Sequence, residues 1–125
     1  MPLGRLVIYA TDIDAMARFY ELHFGFMATL MPGDRIVELV ARDGGANIML
    51  HPAAKGQKSG QSCIKLVFDA EDVEAFCRRC AANGLKFGPI HKAEGYLFAN
   101  AKDPSGNSIS VSSRAFRIPA GPRPP

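Results

Sequence analysis

The stretch RLVIYATDIDAM at residues 5–16 decides the fold, because the chain repeats it sixty positions later as KLVFDAEDVEAF at residues 65–76. Five of the twelve positions are identical, four more are conservative replacements, and no gap is needed. Internal similarity of this kind reveals duplicated structural units. Each copy reads as a short apolar strand, an acidic helix start and an amphipathic helix. With only two copies, the sequence predicts a duplicated module rather than a long repeat array.

The bulk composition is that of one globular domain. The chain has 125 residues, of which 47% are hydrophobic, and a formal net charge of +3; this length usually builds a single core. The basic residues are mostly scattered, which argues against a nucleic acid partner. No apolar run is long enough for a membrane span or a signal peptide. Three cysteines give no disulfide framework, so we expect a cytoplasmic protein without a membrane partner.

The predicted order in each half is β-α-β-β-β, an α+β fold. The strands are expected at residues 6–9, 26–30, 35–41 and 47–51, and again at 65–68, 85–90, 96–101 and 108–112. Thr11 or Asp12 is expected to cap the first helix, which Gly25 ends. Gly88-Pro89 interrupts the sixth predicted strand, which favours an edge or a bulge there.

The two halves are expected to share one domain over residues 1–118. The modules span about 3–52 and 63–113, a polar and glycine-rich linker spans about 53–62, and a proline-rich tail at 119–125 is expected to be disordered. Each module can form a small sheet with its helix on one face. The expected architecture is a paired mixed sheet that forms a cleft.

Alternation along the strands separates an apolar face, expected to pack on the helix, from a mixed polar face. The polar face collects side chains from strands of both modules: Arg5, Tyr9, Glu38, Asn47, Met49, His51, Lys65, Asp69 and Ser110. Two such sheets side by side would form a cleft suited to a ligand. The alternative is a sheet face that is simply exposed to solvent. Tyr9, Tyr96 and Phe98 are aromatic residues that could stack on a planar ligand.

Two phrases and the module order resemble the vicinal-oxygen-chelate superfamily, which contains glyoxalase I, extradiol dioxygenases, fosfomycin-resistance enzymes and bleomycin-resistance proteins. The phrases are DIDAMARFY followed by FGF within residues 12–26, and DPSGN at residues 103–107. The resemblance runs from about Leu3 to Ser113, and it implies a tandem βαβββ fold. It also implies a homodimer, since bleomycin-resistance proteins are commonly dimers.

Enzymes of this superfamily typically hold a divalent metal with His, Gln and Glu residues on the first and last strands of each module. The resemblance carries those positions onto Arg5, Met49, Lys65 and Ser110. A guanidinium has no lone pair, an ammonium must first lose a proton, and a thioether and a hydroxyl are poor ligands for such metals. We therefore expect no metal cofactor, with a divalent metal held by other residues as the alternative.

The repeat places Arg5 and Lys65 at equivalent positions, so pseudo-twofold symmetry would bring them together. One hypothesis makes them an anion site for a carboxylate or phosphate, with Ser110 as a neutral hydrogen-bonding group. The alternatives are internal pairing with Glu38 or Asp69 and extension of the side chains to solvent.

The favoured function is binding of a small organic molecule, with an anion as one ligand class, and the sequence favours binding over catalysis without deciding between them. One alternative is a lyase, isomerase or dioxygenase, either with unmapped metal ligands or with Tyr9, His51 or Glu38 as acid or base. Another is a dimeric, non-catalytic regulatory module.

Two other groups of residues carry no clear chemistry. Metal-ligand spacing is absent among the histidines and glutamates His51, His91, Glu38 and Glu94. The apolar stripe of the second helix contains Cys77 and Cys80, which favours structural thiols over a redox pair.

Overall fold

The computed structural model of the protein describes residues 1–118 and 121–125. The strands are β1 (Arg5–Ala10), β2 (Met27–Thr29), β3 (Val37–Val40), β4 (Asn47–Pro52), β5 (Lys65–Asp69), β6 (His91–Ala93), β7 (Tyr96–Lys102) and β8 (Ser108–Ser112). The helices are α1 (Ile13–Phe24) and α2 (Val73–Ala82), and a short 3-10 helix follows β8 at Arg114–Phe116. No helix of the described residues has the length and apolarity needed to cross a membrane.

The strands form two four-stranded mixed sheets, as the α+β prediction requires. The order is β1-β4-β3-β2 in one sheet and β5-β8-β7-β6 in the other. In both, the first strand runs parallel to the last strand of its module. The chain divides into two compact units: unit 1 holds residues 1–63 and 102–107, and unit 2 holds residues 64–101 and 108–125. The arrangement of the two sheets around a shared cleft stays a prediction.

Both helices begin in the same way, at repeated aspartates. The Oδ1 atom of Asp12 accepts a hydrogen bond from the Ala15 amide at 3.0 Å, and that of Asp72 accepts one from the Ala75 amide at 2.9 Å. These caps satisfy amides that the first helical turn leaves without a partner. Of the two residues proposed for the first cap, the structure selects Asp12. Gly25 ends α1 with φ of 71°, a left-handed conformation that favours glycine.

The strand alternation predicted from the sequence is present in both units except in β8, where Ser110 and Ser112 are 3% and 4% exposed and Ile109 and Val111 are fully buried. In unit 1, Leu39, Ile48 and Leu50 are fully or almost fully buried, and α1 packs on β2, β3 and β4. In β5 of unit 2 the odd-numbered residues are exposed, whereas Leu66 and Phe68 are half-buried. The apolar faces therefore supply the core, and outside β8 the mixed faces are left open.

The prediction of a strand at residues 85–90 was wrong. Within the described residues this segment forms no strand, and the short strand β6 begins one residue later, at His91. Pro89 has no amide hydrogen to donate to a neighbouring strand. Gly88 donates to the Asn100 carbonyl oxygen at 2.9 Å, which is an isolated contact rather than the start of a ladder.

The linker and the tail have different surroundings. Within unit 1, the linker glycine Gly60 has φ of +73°, and a Cβ there would lie 3.1 Å from the Gly106 carbonyl oxygen. Near its end, the linker therefore makes a close backbone contact with the 103–107 turn, and only glycine fits at position 60 without a shift. In the tail, residues 121–125 are exposed and form no helix or strand, and residues 119 and 120 lie outside the described residues. Disorder of the tail stays a prediction.

Candidate functional site

The open face of the unit 1 sheet brings together the six residues predicted there. The parallel pairing of β1 and β4 sets Val7 beside Met49 and Tyr9 beside His51. The antiparallel pairing of β3 and β4 sets Glu38 beside Met49. Residues paired in this way point to the same side of a sheet. Arg5 lies on the same face, two residues before Val7 along β1.

A charged hydrogen-bond network occupies one end of this face. Arg5 Nε lies 3.1 Å from Glu38 Oε2, and the Asn47 side-chain amide donates to the same oxygen at 2.8 Å. The Asn47 Oδ1 atom accepts from the Ala41 amide at 2.8 Å, which orients the amide group. The side chain of Glu38 is 27% exposed and that of Arg5 is 58% exposed. Internal pairing with Glu38, one of the alternatives for Arg5, is therefore the arrangement that the structure has.

The other end of the face carries an aromatic pair. The rings of Tyr9 and His51 have centroids 5.1 Å apart with an interplanar angle of 53°. The Nδ1 atom of His51 lies 2.8 Å from the Pro52 carbonyl oxygen. Because a carbonyl can only accept, the neutral imidazole carries its proton on Nδ1, and Nε2 keeps its lone pair. Tyr9 is 47% exposed, so a ligand can reach this end of the face.

Two of the three residues predicted for unit 2, Lys65 and Ser110, lie in registers equivalent to those of Arg5 and Met49 but have different partners. Lys65 pairs with Ser108 along the sheet, and Val67 pairs with Ser110 as Val7 pairs with Met49. Lys65 Nζ donates to Asn100 Oδ1 at 2.9 Å. Ser110 is 3% exposed, and its hydroxyl donates to the Ala99 carbonyl oxygen at 3.0 Å. The hydroxyl thus has an internal hydrogen bond between β8 and β7, and a role toward a ligand stays a prediction.

Unit 2 also has an aromatic and cationic cluster whose cations the sequence interpretation missed. His91 is paired with Phe98 across β6 and β7, and their ring centroids are 5.1 Å apart. Tyr96 is 6.1 Å from Phe98 by the same measure. The guanidinium carbons of Arg114 and Arg117 lie 5.2 and 5.3 Å from the Tyr96 ring centroid. The sequence named Tyr96 and Phe98 as aromatic residues able to stack on a ligand, but no local pattern linked them to arginines beyond the last strand.

The DPSGN phrase is a tightly bonded turn within unit 1. Asp103 Oδ1 accepts from the amides of Ser105 and Asn107, both at 2.9 Å, and Oδ2 accepts from the Asn107 side chain at 2.9 Å. The Tyr20 hydroxyl of α1 donates to Oδ2 at 2.7 Å. Burial raises the pKa of Tyr20 strongly, and the neighbouring Asp103 charge raises it further. This turn organises structure and offers a ligand little free hydrogen-bonding capacity.

The remaining candidates show no convergent chemistry. Within residues 1–118 and 121–125, no three His, Cys, Asp or Glu side chains are placed to hold a metal ion together. Cys80 is buried and Cys77 half-buried, and burial raises the pKa of both thiols. A raised pKa keeps a thiol protonated and unreactive, which agrees with the structural interpretation of the pair.

The duplicated βαβββ units, each with a parallel pairing of first and last strand, define a tandem βαβββ protein. Residues 3–111 match the sequence profile of the Glyoxalase/Bleomycin resistance protein/Dioxygenase superfamily, and the chain belongs to this family. The resemblance inferred from residues 12–26 and 103–107 is thereby confirmed. No protein of curated function matches the sequence significantly.

Several solved structures share the fold. TnmS3, an antibiotic binding protein from Streptomyces sp. CB03234, is 19% identical, with a TM-score of 0.75 over 89% of this chain and 93% of that one. A protein from the mobile metagenome of V. Pseudocholerae is 26% identical, with a TM-score of 0.70 over 90% and 93%. Lactoylglutathione lyase from Agrobacterium tumefaciens is 22% identical, with a TM-score of 0.67 over 88% and 91%. One fold thus serves both a binding protein and an enzyme.

Proposed function

We propose that this protein binds a small organic molecule on the open faces of its sheets and does so without a bound metal. The observation that carries the proposal is the Arg5–Glu38–Asn47 network. At the first position that the family resemblance assigns to a metal ligand, the chain has a guanidinium already hydrogen bonded to a carboxylate. The antibiotic binding protein with the same fold supports the binding function.

The donor atoms at the other three positions support the metal-free part of the proposal. Met49 offers a thioether, and Lys65 is an ammonium donating to Asn100. The Ser110 hydroxyl donates to a backbone carbonyl. Mg²⁺, Mn²⁺ and Zn²⁺ prefer carboxylate, imidazole or thiolate ligands. The residues at these positions therefore do not suit the metal of the family's enzymes.

The binding face of unit 1 combines apolar and polar groups. Val7 and Tyr9 are 48% and 47% exposed, so the face offers apolar surface to a ligand. Arg5 and His51 lie at opposite ends of that face and provide hydrogen bonds of different kinds. Ligand sites typically combine an apolar surface with a few polar groups that orient the ligand.

A metal-free catalyst is the second candidate, and the geometry of His51 favours it. The contact of Nδ1 with the Pro52 carbonyl oxygen fixes a tautomer whose Nε2 can accept a proton. Tyr9 lies beside it and has a hydroxyl that can donate a proton. A His51→Gln variant separates catalysis from ligand binding. It removes the base and keeps a polar side chain, so it should abolish turnover and leave binding in place.

The test is a thermal shift screen of the untagged protein against anionic, neutral and cationic small molecules, together with metal analysis by mass spectrometry. We expect a saturable rise in Tm with at least one class of compound and no stoichiometric divalent metal. One metal ion per chain, lost together with ligand binding on chelation, would contradict the proposal. We also propose that the protein is a homodimer and that it is cytoplasmic. Mass measurement in solution tests the homodimer, and localisation of a fluorescent fusion tests the cytoplasmic assignment.

A further inference from the structure

Three rings form a continuous surface on the open face of unit 2. Tyr96 and Phe98 are two residues apart on β7 and therefore point to the same side of the sheet. His91 stands opposite Phe98 on β6, and the two rings are inclined by 33°. Tyr96 and Phe98 are inclined by 38°. We call His91, Phe98 and Tyr96 the aromatic row. Phe98 and Tyr96 are half-buried and His91 is exposed, so the row is accessible.

Two arginines lie at the Tyr96 end of this row. Arg114 Nη1 donates to the Tyr96 hydroxyl at 3.0 Å, and Arg117 Nη1 donates to the Glu94 carbonyl oxygen at 3.1 Å. A guanidinium has five N–H donors, and each of these contacts uses one. Among the described residues, neither arginine forms an ion pair. Arg114 is exposed, so its remaining donors are available to an anion.

The charge of the chain is concentrated in this unit. Unit 2 contains eight Lys and Arg residues against five Asp and Glu residues, whereas unit 1 contains seven of each. Four of the five acids of unit 2 are clustered at residues 69–74, where β5 ends and α2 begins. Glu94 is the acid closest in sequence to the row, and Arg117 contacts its backbone carbonyl oxygen. Unit 2 therefore has a net charge of +3, and Arg114 and Arg117 are cations in contact with the aromatic row.

A third cation, Lys65, lies at the other end of the row. Asn100 follows Phe98 on the same face of β7, and its side chain accepts a hydrogen bond from Lys65. An amide does not neutralise an ammonium, so the charge of Lys65 persists. Cations at both ends of an aromatic surface favour a ligand with a planar ring and a negative group.

We propose that the aromatic row and Arg114 bind a planar aromatic acid, with its ring on Phe98 and its carboxylate on the Arg114 guanidinium. This inference rests on the small-molecule function proposed above, and it adds the ligand class and the unit that recognises it. Phe98 provides the central apolar contact, Arg114 provides charge-assisted hydrogen bonds, and Lys65 adds attraction over a longer distance.

The probe for this inference is 1-naphthoate, titrated into the isotope-labelled full chain and followed by amide chemical shifts. The amides of β6, β7 and the 3-10 helix should shift. Two comparison compounds each remove one feature: 1-naphthamide lacks the charge, and decahydronaphthalene-1-carboxylate keeps the two fused rings but lacks aromaticity. Each should bind about tenfold more weakly, since a hydrogen bond to a charged group and a stacked ring are each worth roughly that factor.

Three variants assign the contributions to residues. Arg114→Gln should weaken 1-naphthoate binding by about tenfold and leave 1-naphthamide binding unchanged. Phe98→Leu should weaken both aromatic compounds. Arg78→Gln, which removes an exposed arginine from α2, is the matched control for a change of one positive charge and should change affinity less than about twofold. Because Arg114 is exposed, Arg114→Gln should leave the fold unchanged. The test therefore does not depend on whether Phe98→Leu folds correctly.

The outcomes separate this inference from the proposed function. Equal affinity for 1-naphthoate and 1-naphthamide, or shifts confined to β1, β3 and β4, would overturn the aromatic-acid site while small-molecule binding stands. If no compound of the anionic, neutral and cationic panel binds, the proposed function fails and the inference fails with it. Preferential binding of 1-naphthoate that depends on Arg114 and Phe98 supports both.

Discussion

Arg5 and Lys65 begin equivalent strands, and each reaches a side chain on the third strand of its own sheet. Arg5 Nε contacts Glu38 Oε2 at 3.1 Å, and Lys65 Nζ contacts Asn100 Oδ1 at 2.9 Å. The reach across the intervening strand is the same, but one partner is an acid and the other a neutral amide. A carboxylate neutralises its cation, whereas an amide only satisfies hydrogen bonds. Duplication has therefore preserved geometry and changed charge.

The other residues of the two open faces also differ between the units. Unit 1 sets Tyr9 beside His51, and unit 2 sets Asp69 beside Ser112 at the corresponding register. Unit 2 instead carries its rings on β6 and β7, where Arg114 and Arg117 contact Tyr96. The two faces thus offer different chemistry on one backbone plan. Substitutions that exchange single features between the units can measure how much each difference contributes.

The largest expected effect concerns Tyr20 of α1 and the Asp103 carboxylate to which its hydroxyl donates a hydrogen bond. Tyr20 of α1 corresponds to Cys80 of α2 in the sixty-residue repeat, and both are almost fully buried. Tyr20 alone has the Asp103 carboxylate as a partner within its unit. Asp103→Ala removes an acceptor of four hydrogen bonds and should lower the free energy of unfolding by about 3 kcal/mol. Tyr20→Phe removes one bond and should cost about 1.5 kcal/mol. Urea unfolding measures both.

Asp34→Ala is the matched control for the aspartate substitution. The Asp34 carboxylate also accepts from a nearby amide, that of Ile36 at 3.0 Å, but in an exposed turn. Its loss should cost less than about 1 kcal/mol. Equal effects of Asp34→Ala and Asp103→Ala would show that the buried turn contributes no more than an ordinary exposed turn.

The raised pKa of Tyr20 predicts a loss of stability in alkaline solution. In the unfolded chain the phenol ionises near its ordinary pKa of 10.0, whereas in the folded protein burial keeps it protonated. Above that pH the folded state binds one more proton than the unfolded state, so stability falls as pH rises, by about 1.4 kcal/mol per pH unit. Tyr20→Phe should remove this part of the slope. Identical alkaline slopes for the two proteins, measured by urea unfolding, would contradict the assignment.

Most of the fold was predictable from the sequence because the repeat and the alternation act locally. The β-α-β-β-β order and the two helices follow from patterns of spacing and residue type, whereas the choice of Asp12 over Thr11 as the first cap came from the structure. The strand predicted at 85–90 failed for a physical reason. An apolar segment resembles a strand, but Gly88 and Pro89 make it a poor hydrogen-bonding edge, and pairing begins only at His91.

The site was less predictable, because partner choice depends on residues far apart in the sequence. Alternation placed Arg5 and Glu38 on one open face, but it left internal pairing and an anion site as alternatives. The contact of Arg114 with Tyr96 joins a 3-10 helix to a strand eighteen positions earlier. No periodic pattern links such residues. Periodicity assigns a face, and three-dimensional contacts decide which charges on that face remain unpaired.

Exchanging the partners of Arg5 and Lys65 should shift part of the 1-naphthoate binding from unit 2 to unit 1. Asn100→Asp gives Lys65 an acidic partner and should weaken 1-naphthoate binding to unit 2 by about threefold. Glu38→Gln keeps the hydrogen-bonding shape, but it removes the charge that neutralises Arg5. This variant should create weak 1-naphthoate binding at β1 and β4. Amide chemical shifts of the labelled protein report each unit separately.

The effect of this exchange should depend on salt. Added salt screens exposed charges, so the difference between the native protein and Asn100→Asp should shrink toward high ionic strength. Asn83→Asp, placed at the end of α2, is the control for a new acid in the same unit. If it weakens 1-naphthoate binding as much as Asn100→Asp does, then net charge rather than the partner of Lys65 determines affinity.

The smallest expected effect concerns the helix ends, where His23 corresponds to Asn83. Asn83 donates from its side chain to the Arg79 carbonyl oxygen four residues earlier, at 3.1 Å. The Nδ1 atom of His23 is buried and has no hydrogen-bond partner among the described residues, and burial lowers its pKa. The folded state then binds fewer protons than the unfolded state as pH falls below 6.5, so His23 should lower stability in acid.

His23→Asn transfers the arrangement of unit 2 into unit 1, where the new amide can donate to the Phe19 carbonyl oxygen as Asn83 does to that of Arg79. The gain in Tm should be about 1 to 2 °C larger near pH 5.5 than near pH 7.5, since only the acidic solution protonates the unfolded imidazole. His91→Asn, at an exposed histidine, is the control for replacing an imidazole by an amide. An equal gain at both pH values would mean that the new hydrogen bond stabilises the helix end and that proton uptake plays no part.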